Sequence, residues 1–453
     1  MQFEGHYPLT AYSDLTRVLA YTPDQTINAG QFLAQADALA KQFPAGGHIL
    51  NLCQDRYHFM VGLAASILAG KASLLPSSHT PDTLRQMQAF APDLFCLHDQ
   101  PADGIDLPCL PYPHEPAVLP DATVNPSVPA EQLVAYVFTS GSTGMPVPHR
   151  KTWGKLVLDA RAEARQLGTD TQNFSLVGTV PPQHMYGFES TVLLALHGHC
   201  SICSGRPFYP ADIADALART PRPRLLVTTP FHLQSLLDAG MDVPAVDLLL
   251  SATAPLNTEL ARAAETRLQA PLHEIYGCTE TGQIASRRPT HGNSWQLLPG
   301  IRLEQEGDRH FASGGHIEVR TALSDVIQLQ ADGTFELLGR QADLINIAGK
   351  RTSLGYLNTQ LQAVPGVHGG VFFMPDESDG PHITRLCAFV VAPELPAKQL
   401  LNALRERIDP IFLPRPLVFV DSLPHNATGK LTRSSLQSLL NEHLKSVQTN
   451  EPA

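Results

Sequence analysis

The sequence predicts an α/β protein. A large N-terminal domain of doubly wound, mainly parallel sheets, with a small β-barrel-like portion, precedes a small α+β domain. Three observations predict this. Apolar runs of strand length alternate with amphipathic runs of helix length from the start of the chain. Several of the apolar runs end in small or polar clusters, at 139–144, 184–187, 251–254 and 276–282. Beyond the last cluster the spacing shortens, and turn spellings such as Gly314-Gly and Asp332-Gly separate short alternating runs, as in antiparallel hairpins.

Taken in order, a helix is expected over 32–43, a strand over 48–52, a helix over 57–69 and a strand over 72–76. A helix over 81–90 and a strand over 94–97 follow, and then 101–130, rich in Pro, Asp and Ala, reads as a connection. The run 133–138 reads as a buried strand that stops at small residues. From Thr152 the spacing of Trp153, Leu156, Val157, Ala160, Ala164 and Leu167 reads as a helix. Strands at 174–180, 225–229, 246–253 and 272–275 alternate with helices at 191–196, 211–218, 231–237 and 257–268. Short strands are expected at 316–320, 326–329 and 335–338. After Arg340 come strands near 370–373 and 386–391, a helix near 397–408, and a polar tail after Lys445 that reads as disordered.

Composition narrows the function. A formal net charge of −11 supplies nothing for counterion release from a polyanion, so nucleic acid is not an expected partner. No apolar run approaches the roughly 20 residues that span a bilayer. The N-terminus shows no basic and apolar leader, and the seven scattered cysteines suit reduced thiols, so a cytoplasmic protein is expected. Cys200 and Cys203 with His197 and His199 spell a metal-like cluster. Core-like neighbours (193–196, Ile202) favour buried thiols over zinc.

The chemistry concentrates at the strand ends. Thr139-Ser140-Gly141-Ser142-Thr143-Gly144, between a strand and a helix, offers glycines for close backbone approach and hydroxyls as donors, a composition suited to phosphate. It is not the Gly-x4-Gly-Lys-Ser/Thr loop. In open α/β sheets ligands bind beyond the carboxyl ends of strands, so clusters from separate strands can converge on one crevice.

In spelling and order these motifs resemble the adenylate-forming superfamily: acyl-CoA synthetases, peptide-synthetase adenylation domains and beetle luciferases. The resemblance runs from residue 136 to residue 433. It implies an AMP-forming acid–thiol ligase that uses ATP and Mg²⁺ and passes an acyl group to CoA or to the phosphopantetheine of an acyl carrier protein. By resemblance, 139–144 wraps phosphates, His184 borders the carboxylate pocket, and Ser251, Ala252 and Thr253 lie along adenine. Tyr276 stacks on adenine with Gly277 in the same nucleotide-binding motif, Thr279 contacts phosphate and Glu280 helps hold Mg²⁺. Asp325 grips the ribose and Arg340 adds donors, while Gly349 and Arg351 line a pantetheine tunnel. Lys430, in the loop before Arg433, is the lysine of adenylation. The implied domains are 1–339 and a mobile lid, 340–453, hinged about 340–343. Two positions depart from the family: Val147 stands where a lysine is usual, with Arg150 or Lys151 as substitutes, and Ala342 stands at the hinge. Uncharged pocket residues favour an aryl acid resembling 4-hydroxybenzoate, as in ligases of aryl-polyene and xanthomonadin-type pigment clusters. A medium-chain fatty acid is the alternative substrate, and a catalytically impaired nucleotide-binding scaffold the alternative of another class.

Overall fold

The computed structural model describes residues 5–76, 79–102, 104–113, 119–140, 146–307, 309–340, 344–347, 350–375, 386–425 and 431–449, with the backbone alone at 140, 340, 344, 346, 350, 351, 353 and 444–449. The chain condenses into two compact units. One comprises residues 1–292, 296–304 and 311–321, and the other 293–295, 305–310 and 322–453.

The first unit holds two large sheets. The six-stranded sheet has the order Pro146–Thr152, Leu133–Ser140, Ala72–Leu75, His48–Asn51, Phe95–His98, Cys109–Pro111. Its neighbours are parallel except at the first pair, which is an antiparallel hairpin. The nine-stranded sheet has the order Gln296–Leu297, Gly282–Arg287, Leu272–Cys278, Leu248–Ser251, Arg224–Thr228, Phe174–Gly178, Cys200–Cys203, Val18–Tyr21, Thr26–Asn28. Its middle is parallel and its margins antiparallel. The parallel strands are near-continuous apolar runs because both faces are covered. One core joins the sheets: Ile49 and Val137 of the first share it with Leu176 and Val227 of the second, through Phe32, Phe59 and Leu156 on the helices between.

Three expectations in this unit are corrected. The segment 146–152, read as loop running into a helix, is a strand. Pro146 and Pro148 are tolerated because it is an edge strand with a single neighbour. The helix expected at 191–196 begins at Met185 and passes through a π-helical turn, Phe188–Leu193, to His197. Every residue of this run is buried, so no polar face announces its start. Residues 316–320 form no strand: His316 and Ile317 are buried in succession, which a half-exposed strand does not allow. The metal-like spelling at 197–203 lies in the core. His197 packs edge-on against Trp153, and burial pushes its imidazole down to about 3.

In the second unit the strands Gly369–Phe373, Cys387–Val391 and Leu417–Phe419 form a sheet. Alternate residues separate its faces. Phe372, Ala388 and Val390 meet Leu357, Leu361, Leu400 and Leu404 of two helices. Val371, Phe373, Cys387 and Phe389 meet Leu436 and Leu440. Those leucines anchor the helix Arg433–Thr449, which continues through 446–449 of the tail read as disordered; 450–453 lie outside the described residues.

Candidate nucleotide and acid site

The strands Phe174–Gly178, Arg224–Thr228, Leu248–Ser251 and Leu272–Cys278 are consecutive neighbours in the nine-stranded sheet, all parallel. Their carboxyl ends therefore deliver the clusters 184–187, 228–231, 251–254 and 276–282 to one edge of the sheet.

The last cluster is a tight turn. The strand Leu272–Cys278 returns antiparallel as Gly282–Arg287, with Thr279, Glu280 and Thr281 between them. Glycine is required at both flanks. A Cβ on Gly277 would stand 2.3 Å from the Gly282 carbonyl oxygen, and Gly282 has φ +74°. Cys278 Sγ lies 3.1 Å from Thr281 Oγ1, and burial pushes its thiol up to about 11. Tyr276 is half-buried at the strand end.

Across from this turn stands the hairpin that carries the phosphate-loop spelling. Thr139 is register partner of Val147, and Ser140 of Pro146. Gly141, Ser142, Thr143 and Gly144 lie outside the described residues. Val147, His149 and Lys151 share one face of the returning strand. That face passes from exposed at Val147 to half-buried at His149 and buried at Lys151. His149 Nε2 is 2.9 Å from Thr139 Oγ1 and 3.9 Å from Glu280 Oε1. Burial lowers the His149 imidazole, Lys151 lowers it further and Glu280 opposes. Lys151 Nζ donates to the Thr279 carbonyl at 2.7 Å. Lys151 thus ties the hairpin to the turn, and His149 lies beside it. Lys151, read as a substitute for the loop lysine, has its ammonium committed to the backbone of the turn.

Ser251 is fully buried at the end of its strand, and Ala252 is 6 % exposed. Thr253 has φ +81°, a conformation costly for a β-branched residue and one that clusters at functional sites. Glu274 fixes this segment: its Oε1 accepts from the Leu256 amide at 3.1 Å while Oε2 takes Arg287 Nε at 2.7 Å. His184 is half-buried and heads the helical run from Met185. Behind that run lies Arg56, fully buried, whose guanidinium donates to Thr191 Oγ1 and to the carbonyls of Gly178 and Val180 at 2.7–2.8 Å. Burial lowers it to about 10, so it remains charged at neutral pH.

In the second unit, Asp325 and Arg340 are register partners across an antiparallel hairpin, Asp325–Leu329 with Phe335–Arg340, turned at Asp332 and Gly333. Arg351 lies on the strand Lys350–Ser353, opposite Asn346. Gly349, the hinge residues 341–343 and Lys430 lie outside the described residues.

Arg56, Glu274 and His149 escaped sequence reading because their partners are remote in the chain or, for His149, face it only across a hairpin. The one local signal was a charged residue inside an otherwise apolar helical run, Arg56 before Tyr57–Leu68.

Comparison with known proteins agrees with this geometry. Residues 10–303 match the AMP-binding enzyme family, and residues 360–430 match the AMP-binding enzyme C-terminal domain. A 4-coumarate–CoA ligase of Rhodobacter capsulatus is 30 % identical over 307 residues, covering 66 % of this chain and 75 % of the relative. A 4-coumarate–CoA ligase of Halorhodospira halophila is 29 % identical, covering 65 % of this chain and 73 % of the relative. The ATP-bound structure of MatB from Rhodopseudomonas palustris superposes with a TM-score of 0.79 at 19 % identity, over 95 % of this chain and 97 % of that one. O-succinylbenzoate CoA synthetase of Bacillus subtilis, with ATP and magnesium, superposes at 0.78 with 20 % identity, over 95 % of this chain and all of that one. With its motifs on successive strand ends and most of its length matched, the chain belongs to the AMP-binding enzyme family of adenylate-forming proteins and is an AMP-forming ligase.

Proposed function

We propose that this ligase activates an aryl carboxylic acid of the 4-hydroxybenzoate type and transfers it to a pantetheine thiol, of acyl carrier protein or of CoA. A carboxylate oxygen of the acid attacks the α-phosphorus of ATP. The bond from that phosphorus to the bridging oxygen breaks, and pyrophosphate leaves with the electron pair. The thiol then attacks the acyl carbon and AMP departs. The protein has little covalent work to do; it holds two anions together and offsets the developing charge.

The observation that carries this reading is the tie of Lys151 Nζ, on the hairpin strand, to the Thr279 carbonyl, with His149 beside Glu280. It sets Thr139, through His149, across from a carboxylate 39 % exposed. That carboxylate suits Mg²⁺, which takes hard oxygen ligands, few of them from protein. Glu280 is the residue assigned to hold the ion, which would neutralise phosphate charge. Residues 139–144 receive the β- and γ-phosphates, Tyr276 and 251–253 the adenine, and Asp325 and Arg340 the ribose. Lys430 is assigned to the adenylation step, and Gly349 and Arg351 to the thiol's approach. The lid is 340–453, turning about 340–343.

The aryl preference is supported by relatives named for 4-coumarate and 4-chlorobenzoate. It is supported too by the uncharged residues at 228–231 and 251–254. Pyrophosphate exchange over a panel of 4-hydroxybenzoate, 4-coumarate and octanoate, with CoA and a carrier protein offered in parallel, tests it. The aryl acids should exchange fastest; preference for octanoate sinks the substrate assignment. Lys430→Ala should lower exchange about a hundredfold or more, and an unchanged rate would remove Lys430 from the step.

A further inference from the structure

Beneath residues 279–283 lies a group of buried ionisable side chains. Lys151, Asp159, Glu163, Glu189 and His316 are each at most 4 % exposed. They come from the edge strand Pro146–Thr152, the helix Trp153–Leu167, the π-helical turn Phe188–Leu193 and the chain after Gly315. Burying so many charges is unfavourable unless they pair and hydrogen-bond.

The protons and charges can be assigned. Asp159 and Glu189 meet beneath Gly282, where a Cβ would stand 2.8 Å from Glu189 Oε1 and 3.4 Å from Asp159 Oδ2. Two carboxyl groups sharing one buried site resist ionising together, so one of them keeps its proton. The Lys151 ammonium favours the ionised form of each. His316 Nε2 is 2.6 Å from the Gln283 carbonyl and 3.2 Å from Asp159 Oδ1. A carbonyl only accepts, so Nε2 carries the hydrogen.

These groups grip the turn. Lys151 donates to the Thr279 carbonyl at 2.7 Å, and His316 to the Gln283 carbonyl. Gln283 Nε2 donates to Ser190 Oγ at 2.9 Å. A Cβ on Gly282 would stand 2.8 Å from Glu189 Oε1. The turn rests on the carboxyl pair with its two ends held from below.

We infer that Lys151 is a positioning residue: it holds the Thr279 carbonyl and so fixes Thr279 and Glu280 where the nucleotide's phosphates arrive. The catalytic half of this inference rests on the adenylation reading; the tie between Lys151 and the turn does not. A bland role would have Lys151 merely neutralise the pair. Lys151→Met alone strands a buried negative charge, so the decisive protein is Lys151→Met/Glu189→Gln. There charge and countercharge leave together.

The double variant should unfold near the wild-type temperature. Its kcat for pyrophosphate exchange should fall about tenfold or more, with the KM for the acid unchanged. Amide hydrogen exchange over 276–283, in protein without nucleotide, should quicken by about tenfold or more. A wild-type kcat, or unchanged amide exchange, would overturn the assignment in favour of simple neutralisation. A double variant that does not fold would overturn the charge assignment itself. Wild-type protein that exchanges pyrophosphate with no acid would sink adenylation, while amide exchange still judges the tie.

Discussion

Gly277 has no room for a side chain, because the Gly282 carbonyl oxygen faces its α-carbon across the turn. Gly277→Ala should cost about 1–3 kcal/mol through forced displacement of that backbone. It should also lower pyrophosphate exchange, since Glu280 sits on the displaced segment. A melting temperature and exchange rate like those of the wild type would contradict this. Arg56 makes the opposite case, a residue whose removal leaves a deficit. Arg56→Met strips donors from two carbonyls and a hydroxyl inside the core, at about 1–3 kcal/mol for each acceptor left unsatisfied. The urea midpoint should drop with an unchanged slope; an unaltered midpoint would show that water replaces the guanidinium without loss. Thr139, Tyr276 and Glu280 were legible in the sequence because each sits in a short spelling at a strand end. Arg56 was not, because the groups it serves lie 122–135 residues away.

Among the elements, strands buried on both faces were easy to read from apolar runs alone. The edge strand Pro146–Thr152 was not, because its prolines argue against a strand wherever two neighbours must be served. The run from Met185 hid for a different reason: it is buried all round and carries Glu189 and Ser190 inward. Helix Trp153–Leu167 likewise turns Asp159 and Glu163 into the core. Burial pushes the Glu163 carboxyl up to about 8 and that of Glu189 up to about 7, from an ordinary 4.5. A carboxyl raised in the folded state binds its proton more tightly there than in the unfolded chain. Its contribution is therefore full below about pH 4.5 and is lost as pH rises towards 8. Glu163→Gln cannot ionise. Relative to wild type its unfolding free energy should improve steadily from about pH 5 to pH 8. A constant difference between the two proteins across that range would show that Glu163 does not titrate as described.

At the scale of the whole molecule, the alternation of runs was enough to give the class, and the Asp332-Gly spelling was enough to place one hairpin, while Gly314-Gly pointed to a strand that is not there. That two sheets share one core was not legible, since the contacts joining Ile49, Phe59, Leu176 and Val227 carry no local pattern. Each compact unit has cores of its own. Leu400→Ala, a fully buried change in the second unit, should cost about 2–5 kcal/mol there. Calorimetry should then show one transition lowered and another in place, whereas a uniform shift would mean that the units melt together. The edge strand has a last consequence, for how molecules meet one another. A strand with one neighbour offers its free side as a template on which a second chain can be added. Prolines at 146 and 148 interrupt the row of N–H groups such an addition would need, and Arg150, exposed beside them, adds a charge that must shed its water. The strand that returns from Thr139 is thereby a poor starting point for aggregation.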